Sequence, residues 1–212
     1  MLDASGEVVA EHYAIARTEQ DKYAADSHRK AAAAQERNAF GDQIVPVPVY
    51  DGAAELISQD EGIRADTSME KLASLKVIHP EIEGFGVTAG NASGINDGAA
   101  ALVLMGADEA SKRGIRPLAR IMSWATAGVD PAVMGSGPIP ASRLALQKAG
   151  WSVDDLDLIE ANEAFAAQAC AVNKDMGWDP SKVNVNGGAI ALGHPIGASG
   201  ARVLITLLHE MQ

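Results

Sequence analysis

Apolar side chains recur at helical spacing along several stretches of the chain. Ser5, a residue type that caps helices, precedes the apolar positions Val9, Tyr13 and Ala16, and these predict a first helix. A second helix is predicted over Thr18–Arg37, an alanine-rich run with an acidic residue in its first turn. Further helices are predicted at Met69–Leu75, Asp108–Arg113, Pro140–Ala149, Glu163–Met176 and Ala198–Met211.

Short apolar runs between these helices predict β-strands. The first run contains Pro46 and Pro48, which cannot donate ladder hydrogen bonds and therefore confine it to a sheet edge. Residues 51–85 carry short, mixed, charge-rich signals that indicate a loop-rich excursion. From Leu118 onward, strands and helices alternate, which is the pattern of a layered α/β sheet. The predicted strands are Ile44–Tyr50, Ala99–Met105, Leu118–Ala127, Leu156–Glu160 and Val183–Val185.

The composition supports an α/β protein and argues against several classes of function. Apolar residues make up 47% of the 212 residues and aromatic residues only 4%, which suits close-packed helices and sheets more than a β-sandwich. A formal net charge of −11 argues against a surface for nucleic acid or anionic membrane. The single cysteine excludes an internal disulfide and a thiolate-rich metal site, and we expect no metal.

The pattern of apolar runs along the chain also bears on its cellular compartment. No apolar run reaches the length needed to span a membrane, and the N-terminus lacks the basic-then-apolar pattern of a signal peptide. We therefore expect a cytoplasmic protein without a membrane partner.

The most informative local segment is Asn186–Gly200, which carries five glycines, one proline and one histidine ahead of the last predicted helix. Its glycines permit close backbone approach, and Pro195 favours an extended conformation at His194. A histidine on such a stiff turn suits proton transfer, because a base must be held in alignment. The alternative interpretation is a structural one: a short strand–loop–helix connection, in which the histidine only hydrogen-bonds a neighbouring residue, would show the same spacing.

A second candidate is Asn162, in the run Glu160–Gln168 that follows a predicted strand. In open α/β sheets, residues at the carboxyl ends of strands line the ligand crevice, and both Asn162 and His194 lie just past such an end. An asparagine amide can order a water or donate to a developing oxyanion. A plain helix cap is the alternative interpretation, since asparagine caps helices well.

Together these segments resemble the thiolases, the acyl-CoA acetyltransferases that make or cleave 3-oxoacyl-CoA by Claisen chemistry. The resemblance spans nearly the whole chain and rests on four segments that occur in the family's order. These are Thr88–Gly94 with Asn96–Gly98, Gly135–Pro140, Asn162–Phe165, and Asn186–Ala189 with Gly193–Pro195 and Gly197–Gly200.

The resemblance implies a thiolase-like layered α-β-α-β-α fold, incomplete here, with an inserted loop domain. Residues 1–94 match most of that loop domain, which binds CoA and takes part in oligomer contacts. Residues 95–117 match the last strand and helix of the N-terminal half, and residues 118–212 match the C-terminal half without its final strands. We therefore expect a homo-oligomer, either a dimer or a tetramer.

The resemblance also implies roles for the two candidates. His194 matches the histidine that activates the nucleophilic cysteine and helps to hold the thioester oxygen. Asn162 matches the asparagine that positions a water in the same oxyanion hole. The implied substrates are coenzyme A thioesters, with no tightly bound cofactor, and the implied setting is fatty acid metabolism.

Five further residues match family positions along the CoA and acyl channel. Each has a simpler interpretation. The serine could satisfy a local turn, the arginine could be solvated, and the methionine and phenylalanine could fill the core. The matching residues are Ser93, Arg64, Met134, Ala164 and Phe165.

The chain departs from the family pattern in its cysteines. A thiolase needs a nucleophilic cysteine in a glycine-containing turn of the first half and a second cysteine in another such turn near the C-terminus. Neither turn is present, and Cys170 lies inside an alanine-rich predicted helix, where we interpret it as a small buried apolar residue.

We therefore interpret the chain as a C-terminal-region fragment of a thiolase of the acetyl-CoA acetyltransferase kind, inactive by itself. One alternative is a non-catalytic CoA-binding remnant, since the binding-side residues are present without the cysteines. A 3-oxoacyl synthase is a weaker alternative, because those enzymes usually present paired histidines.

Overall fold

Helices account for most of the regular structure in residues 2–48 and 56–212, the part of the chain that this computed structural model describes. Short 3₁₀ turns lie at Pro131–Ser136, Val153–Asp155 and Pro180–Lys182. The helices are α1 Leu2–His12, α2 Arg17–Glu36, α3 Met69–Ala73, α4 Ala107–Lys112, α5 Pro138–Ala149, α6 Ala166–Met176, α7 Ala189–Leu192 and α8 Ile196–Glu210.

The helix boundaries confirm most predictions and correct two caps. α1 already begins at Leu2, so Ser5 lies inside it and does not cap it. α2 begins one residue before Thr18, because Glu19 accepts a hydrogen bond from the backbone N–H of Ala16 at 2.9 Å. Asn38 ends α2 in the left-handed region, with φ of 58°. α7, inside the glycine-rich segment, was not predicted because four residues are too few to show a period.

α6 lies at the centre of the packing, where it contacts α1, α2 and α5. One face carries Val172 and Met176 into a cluster that also buries Trp178. Another face carries Ala167 and Ala171 against α1. The small side chains let the helix backbones approach closely, which explains why the alanine-rich α2 and α6 pack against each other.

Two of the predicted strands, Leu156–Glu160 and Val183–Val185, contact each other through a single β-bridge. Ile159 and Val183 form a parallel bridge, in which the N–H of Ile159 donates to Lys182 O and the N–H of Asn184 donates to Ile159 O, both at 2.9 Å. The bridge places the residues after Ile159 beside those after Val183. The segments that carry Asn162 and the glycine-rich loop therefore leave the bridge side by side.

The other predicted strands are largely unpaired among the described residues. The first is reduced to β1 Val47–Pro48, which pairs antiparallel with β2 Leu56–Ile57, while residues 49–55 lie outside the described part. No ladder forms at Ala99–Met105 or at Leu118–Ala127, so the prediction of strands at these two positions is wrong for this structure.

 Both segments are largely solvent-exposed, because no described segment supplies a neighbouring strand that would cover them and complete their hydrogen bonds.

The exposed apolar side chains of these two segments predict self-association of the chain in solution. Val103 is 88% exposed and Ile121 58%, next to unpaired backbone groups that can template strand pairing. We expect sedimentation velocity to show heterogeneous oligomers, and Val103→Lys combined with Ile121→Lys to reduce them at least several-fold. Val45→Lys, at an equally exposed position outside both segments, is the control and should leave association unchanged.

A monodisperse monomer that melts cooperatively would contradict this prediction. Equal improvement by the control substitution would show that added charge, and not the two segments, governs association.

Candidate active site

The turn Gly193–Pro195 joins α7 to α8 and carries His194. Gly193 has φ of 100°, and a Cβ built there would lie 2.6 Å from Oδ1 of Asn96. That same Oδ1 accepts a hydrogen bond from the backbone N–H of His194 at 3.2 Å. The glycine is therefore required both by its backbone conformation and by the close approach of Asn96.

Asn162 and His194, the two residues predicted to converge, lie next to each other. Nδ2 of Asn162 is 3.5 Å from Nε2 of His194, at the long limit of a hydrogen bond. Oδ1 of Asn162 is buried and has no hydrogen-bond partner among the described residues. The pair thus combines an imidazole nitrogen, an amide donor and an unused amide acceptor within one small volume.

The environment of His194 favours the neutral imidazole. Burial lowers the pKa of His194 below its ordinary value, and the positive charge of Arg202 lowers it further. A neutral imidazole can accept a proton at physiological pH, as a general base must. Nδ1 contacts the hydroxyl of Ser199 at 2.6 Å, which leaves Nε2 as the nitrogen that faces Asn162.

A buried carboxylate, Glu163, joins the Asn162 segment to the glycine-rich loop. The side chain is 1% exposed and accepts hydrogen bonds from Ser27 Oγ at 2.7 Å, Asn184 Nδ2 at 2.8 Å and Ile190 N at 3.2 Å. Ser27 Oγ in turn accepts from the N–H of Gly188 at 3.0 Å. These bonds tie α2, the segment after Val183 and α7 to the residue that follows Asn162.

A second buried acid, Glu160, lies 3.5 Å from Nη1 of Arg202. Distance alone would make them an ion pair, yet burial raises the pKa of Glu160 to about 8 against the opposing charge of Arg202. We favour the protonated carboxyl at neutral pH, because a single long contact offsets little of the cost of burying its charge. Arg202 then keeps a positive charge that is not neutralised by Glu160, consistent with its effect on His194.

Three of the five residues assigned to CoA binding lie together beside Asn162. The N–H and the hydroxyl of Ser93 both donate to Ala164 O at 3.0 Å, and Ala92 forms an antiparallel bridge with Phe165. The hydroxyl of Ser93 therefore has a local partner, as its simpler interpretation requires, while its lone pairs stay available to a ligand.

Met134 and Arg64 lie on more exposed parts of the surface. Met134 is 50% exposed in the 3₁₀ turn Pro131–Ser136. Arg64 is exposed, and its backbone N–H donates to Nδ1 of His28 at 3.2 Å. No hydrogen bond among the described residues joins either side chain to Asn162 or His194, so their roles remain predictions.

Cys170 has the properties of an unreactive thiol. Burial raises its pKa to about 12, with further contributions from the charges of Glu19 and Glu163. Its side chain packs against the cluster formed by α1 and α6, and Sγ lies 3.9 Å from Glu19 O. A thiol in this environment is not ionised at neutral pH, which agrees with the apolar character predicted for Cys170, although the residue is half-buried and not buried as predicted.

Three residues that support the site were not predicted from the sequence. They are Ser199, Glu163 and Asn96, which all stand inside the motifs that carried the resemblance. For Glu163 and Ser199, their position close to Asn162 and His194 was the available signal, whereas Asn96 lies 98 residues before His194 and offered none. Their side-chain partners lie up to 136 residues away along the chain, so spacing alone could not assign their contacts.

Within residues 2–48 and 56–212, no group of three or more His, Cys, Asp or Glu side chains is arranged to hold a metal ion. No helix in that same part of the chain is long and apolar enough to cross a membrane.

Comparison with protein families gives two matches that together span most of the chain. Residues 2–108 match the family described as "Thiolase, N-terminal domain". Residues 115–212 match the family described as "Thiolase, C-terminal domain".

Comparison with individual proteins gives similar relatives. An acetyl-CoA acetyltransferase of Rhizobium meliloti (strain 1021) is 62% identical over 213 residues, which cover 100% of this chain and 53% of that protein. An acetyl-CoA acetyltransferase of Shinella zoogloeoides is 60% identical, with 100% and 54% covered. The chain spans about half the length of these curated relatives.

Solved structures share the fold as well. The Bacillus anthracis acetyl-CoA acetyltransferase superimposes with a TM-score of 0.96 at 50% identity, over 100% of this chain and 53% of that one. A human mitochondrial 3-ketoacyl-CoA thiolase in complex with CoA superimposes with a TM-score of 0.89 at 42% identity, over 99% and 52%. These neighbours support the assignment to a layered α/β fold, for which the few strands of the described residues alone are weak evidence.

The Glu163 network predicts that Gly188→Ala destabilises the chain. A Cβ at residue 188 would fall well inside van der Waals distance of the Glu163 carboxylate, so the carboxylate must shift and its hydrogen bonds weaken. We expect a loss of about 1–3 kcal/mol in the free energy of unfolding. The measurement is urea unfolding at submicromolar concentration, followed by tryptophan fluorescence, in which the buried Trp178 reports on the core while Trp124 and Trp151 are already exposed.

Gly200→Ala is the matched control. Gly200 lies inside α8, and a Cβ there meets nothing within 4 Å, so this change should raise stability by about 0.5–1 kcal/mol. Equal effects of the two substitutions would refute the close approach of Glu163 to Gly188.

Proposed function

The chain belongs to the thiolase family, and we propose that it supplies the histidine–asparagine side of an acyl-CoA acetyltransferase active site. The observation that carries this proposal is the 3.5 Å approach of Asn162 Nδ2 to His194 Nε2, on the two segments that match the family's motifs. Relatives named acetyl-CoA acetyltransferase support the substrate class of acyl-CoA thioesters.

The nucleophile of the proposed reaction is a cysteine outside these 212 residues, in a protein of the relatives' full length. In the first step His194 accepts the thiol proton, and the sulfur attacks the carbonyl carbon of an acyl-CoA. A new thioester bond forms to the enzyme, the bond to the sulfur of CoA breaks, and CoA leaves as its thiol after taking up a proton. Covalent catalysis divides the condensation into two easier steps.

The second step joins two carbon units. A second cysteine, also outside this chain, removes a proton from the α-carbon of acetyl-CoA. The carbanion attacks the acyl-enzyme carbonyl, the carbon–carbon bond forms, and the enzyme's thiolate leaves. Thiolysis of a 3-oxoacyl-CoA follows the same steps in reverse.

Asn162 and His194 stabilise the developing negative charge on the thioester oxygen. The buried Oδ1 of Asn162, which lacks a partner among the described residues, is suited to accept a hydrogen bond from a water. That water then donates to the oxygen alongside Nε2–H of the protonated His194. Donors fixed before the reaction are effective because they need no rearrangement as the charge appears.

CoA binding is assigned to the surface beside this pair. Ser93, Ala164 and Phe165 support the pantetheine and acyl ends, since they meet beside Asn162. Met134 extends the acyl channel. Arg64 contacts the adenine end, where an exposed cation suits a ligand that carries phosphates.

The remaining assignments extend this proposal to the whole protein. The division at residues 1–94, 95–117 and 118–212, a dimeric or tetrameric assembly and a cytoplasmic location all follow from the resemblance or the composition. Size-exclusion chromatography with light scattering measures the assembly directly.

The central prediction concerns His194 and Asn162 in a protein of the relatives' full length. His194→Ala should lower kcat for thiolysis of acetoacetyl-CoA about 10²–10⁴-fold, because the base is removed. Asn162→Ala should lower it about 10²–10³-fold, because the water that donates to the oxyanion loses the group that holds it. His12→Ala, at an exposed position at the end of α1, is the control and should leave kcat unchanged.

Retention of nearly full thiolysis by His194→Ala would show that the role is wrongly assigned. Loss of activity in His12→Ala to the same degree would attribute the effects to misfolding.

The alternative of a non-catalytic CoA-binding remnant rests on Cys170, the only cysteine of this chain, whose pKa of about 12 makes it unsuitable as a nucleophile. Titration calorimetry of the 212-residue chain with CoA, beside a turnover assay, tests its binding half: an absence of binding would reject a CoA-binding remnant. Binding without turnover is expected of the isolated chain whether it is a piece of an active enzyme or a non-catalytic remnant. Turnover by a natural full-length protein that contains it would reject the remnant.

A further inference from the structure

Ser199 makes a short contact with Nδ1 of His194, the ring nitrogen that does not face Asn162. It lies in the first turn of α8, is 4% exposed, and its Oγ is 2.6 Å from Nδ1 of His194. The resemblance gave this serine no role. Its place on the side of the ring opposite Nε2 makes it a candidate for controlling which nitrogen carries the proton.

The direction of this hydrogen bond follows from the second partner of the hydroxyl. Ser199 Oγ also lies 3.0 Å from the carbonyl oxygen of Pro195, to which it donates. A hydroxyl has one hydrogen, so once it donates to Pro195 it can only accept from the imidazole. Nδ1 of His194 must then carry the hydrogen.

The contact on the other side of the ring agrees with this assignment. Nε2 of His194 faces Nδ2 of Asn162, and an amide nitrogen only donates. The contact, 3.5 Å long, therefore fits a lone pair on Nε2. Two independent neighbours, one at each ring nitrogen, fit the same tautomer.

We propose that Ser199 is a positioning residue that holds the proton of neutral His194 on Nδ1, so that Nε2 keeps the lone pair that accepts the thiol proton. Its consequence for catalysis rests on the proposed function, while the tautomer itself does not. When His194 takes up a proton on Nε2, the bond from Nδ1 to Ser199 stays in place. The ring therefore needs no reorientation between its two charge states.

The surroundings of Ser199 make it a rigid partner. Its backbone N–H donates to Pro195 O at 2.9 Å, in the first turn of a helix that runs to Glu210. The backbone N–H of His194 is held separately by Asn96. The backbone of His194 and the hydroxyl of Ser199 are thus held by different groups, which lets the hydroxyl select a tautomer that an unrestrained imidazole would not hold.

The experiment reads the tautomer directly by ¹⁵N solid-state NMR. A protein of the relatives' full length is labelled with ¹⁵N-histidine, sedimented and studied at pH 8, and the His194 signals are assigned by their loss in His194→Gln. Protonated and unprotonated ring nitrogens have well-separated ¹⁵N shifts. We expect protonated Nδ1 and unprotonated Nε2 in the parent protein.

Ser199→Ala should lower the ratio of Nδ1–H to Nε2–H forms about tenfold, the effect of losing one hydrogen bond. The kcat for thiolysis should fall about three- to tenfold with KM unchanged, since only the base is affected. Ser199→Thr keeps the hydroxyl and should restore the parent tautomer. Ser181→Ala is the control, because Ser181 is exposed and its hydroxyl bonds only locally to Asp179.

A parent spectrum with Nε2 protonated would overturn the proposal, whether or not any variant folds. An unchanged tautomer ratio in a folded Ser199→Ala protein would overturn it equally. If thiolysis proves independent of His194 while its tautomer depends on Ser199, then the proposed function fails and this inference stands.

Discussion

The arrangement of the site depends on the buried carboxylate of Glu163. It is almost completely removed from water and satisfied by donors from α2, from the segment after Val183 and from α7. Since the alternative is an uncompensated buried charge, these donors cannot drift apart without a large cost in free energy. The constraint holds the segment of Asn162 against the glycine-rich loop, and it explains why a residue without a side chain is needed at Gly188.

Burial also sets the charges around the base. Glu160 and His194 both have pKa values shifted toward their neutral forms, although one is an acid and the other a base. Arg202 opposes the first shift and reinforces the second. The result is a neutral imidazole, the form in which a general base must be before it accepts a proton.

The sequence predicted what depends on local pattern and on short motifs. The periods of α2, α6 and α8 gave these helices to within a few residues, and the motifs around Asn162 and His194 selected a pair that proved to be adjacent. Strand pairing was less predictable, because Leu118–Ala127 has the pattern of a strand and yet finds no neighbour among the described residues.

The supporting contacts could not be derived in the same way. Ser27 meets Glu163 across 136 residues, a separation at which periodicity carries no information about contact. Ser199 lies close to His194 in sequence, but its importance depends on the orientation of the imidazole ring, whose two nitrogens face Ser199 and Asn162. Such side-chain directions follow from tertiary packing.

The central claim is that Asn162 and His194 act on one carbonyl group. A double-mutant cycle on thiolysis, with Asn162→Ala, His194→Ala and both together in a protein of the relatives' full length, tests it most directly. If the residues act as a unit, the double variant is about as slow as the slower single variant. Effects that multiply would show that the two side chains act independently and would contradict the account.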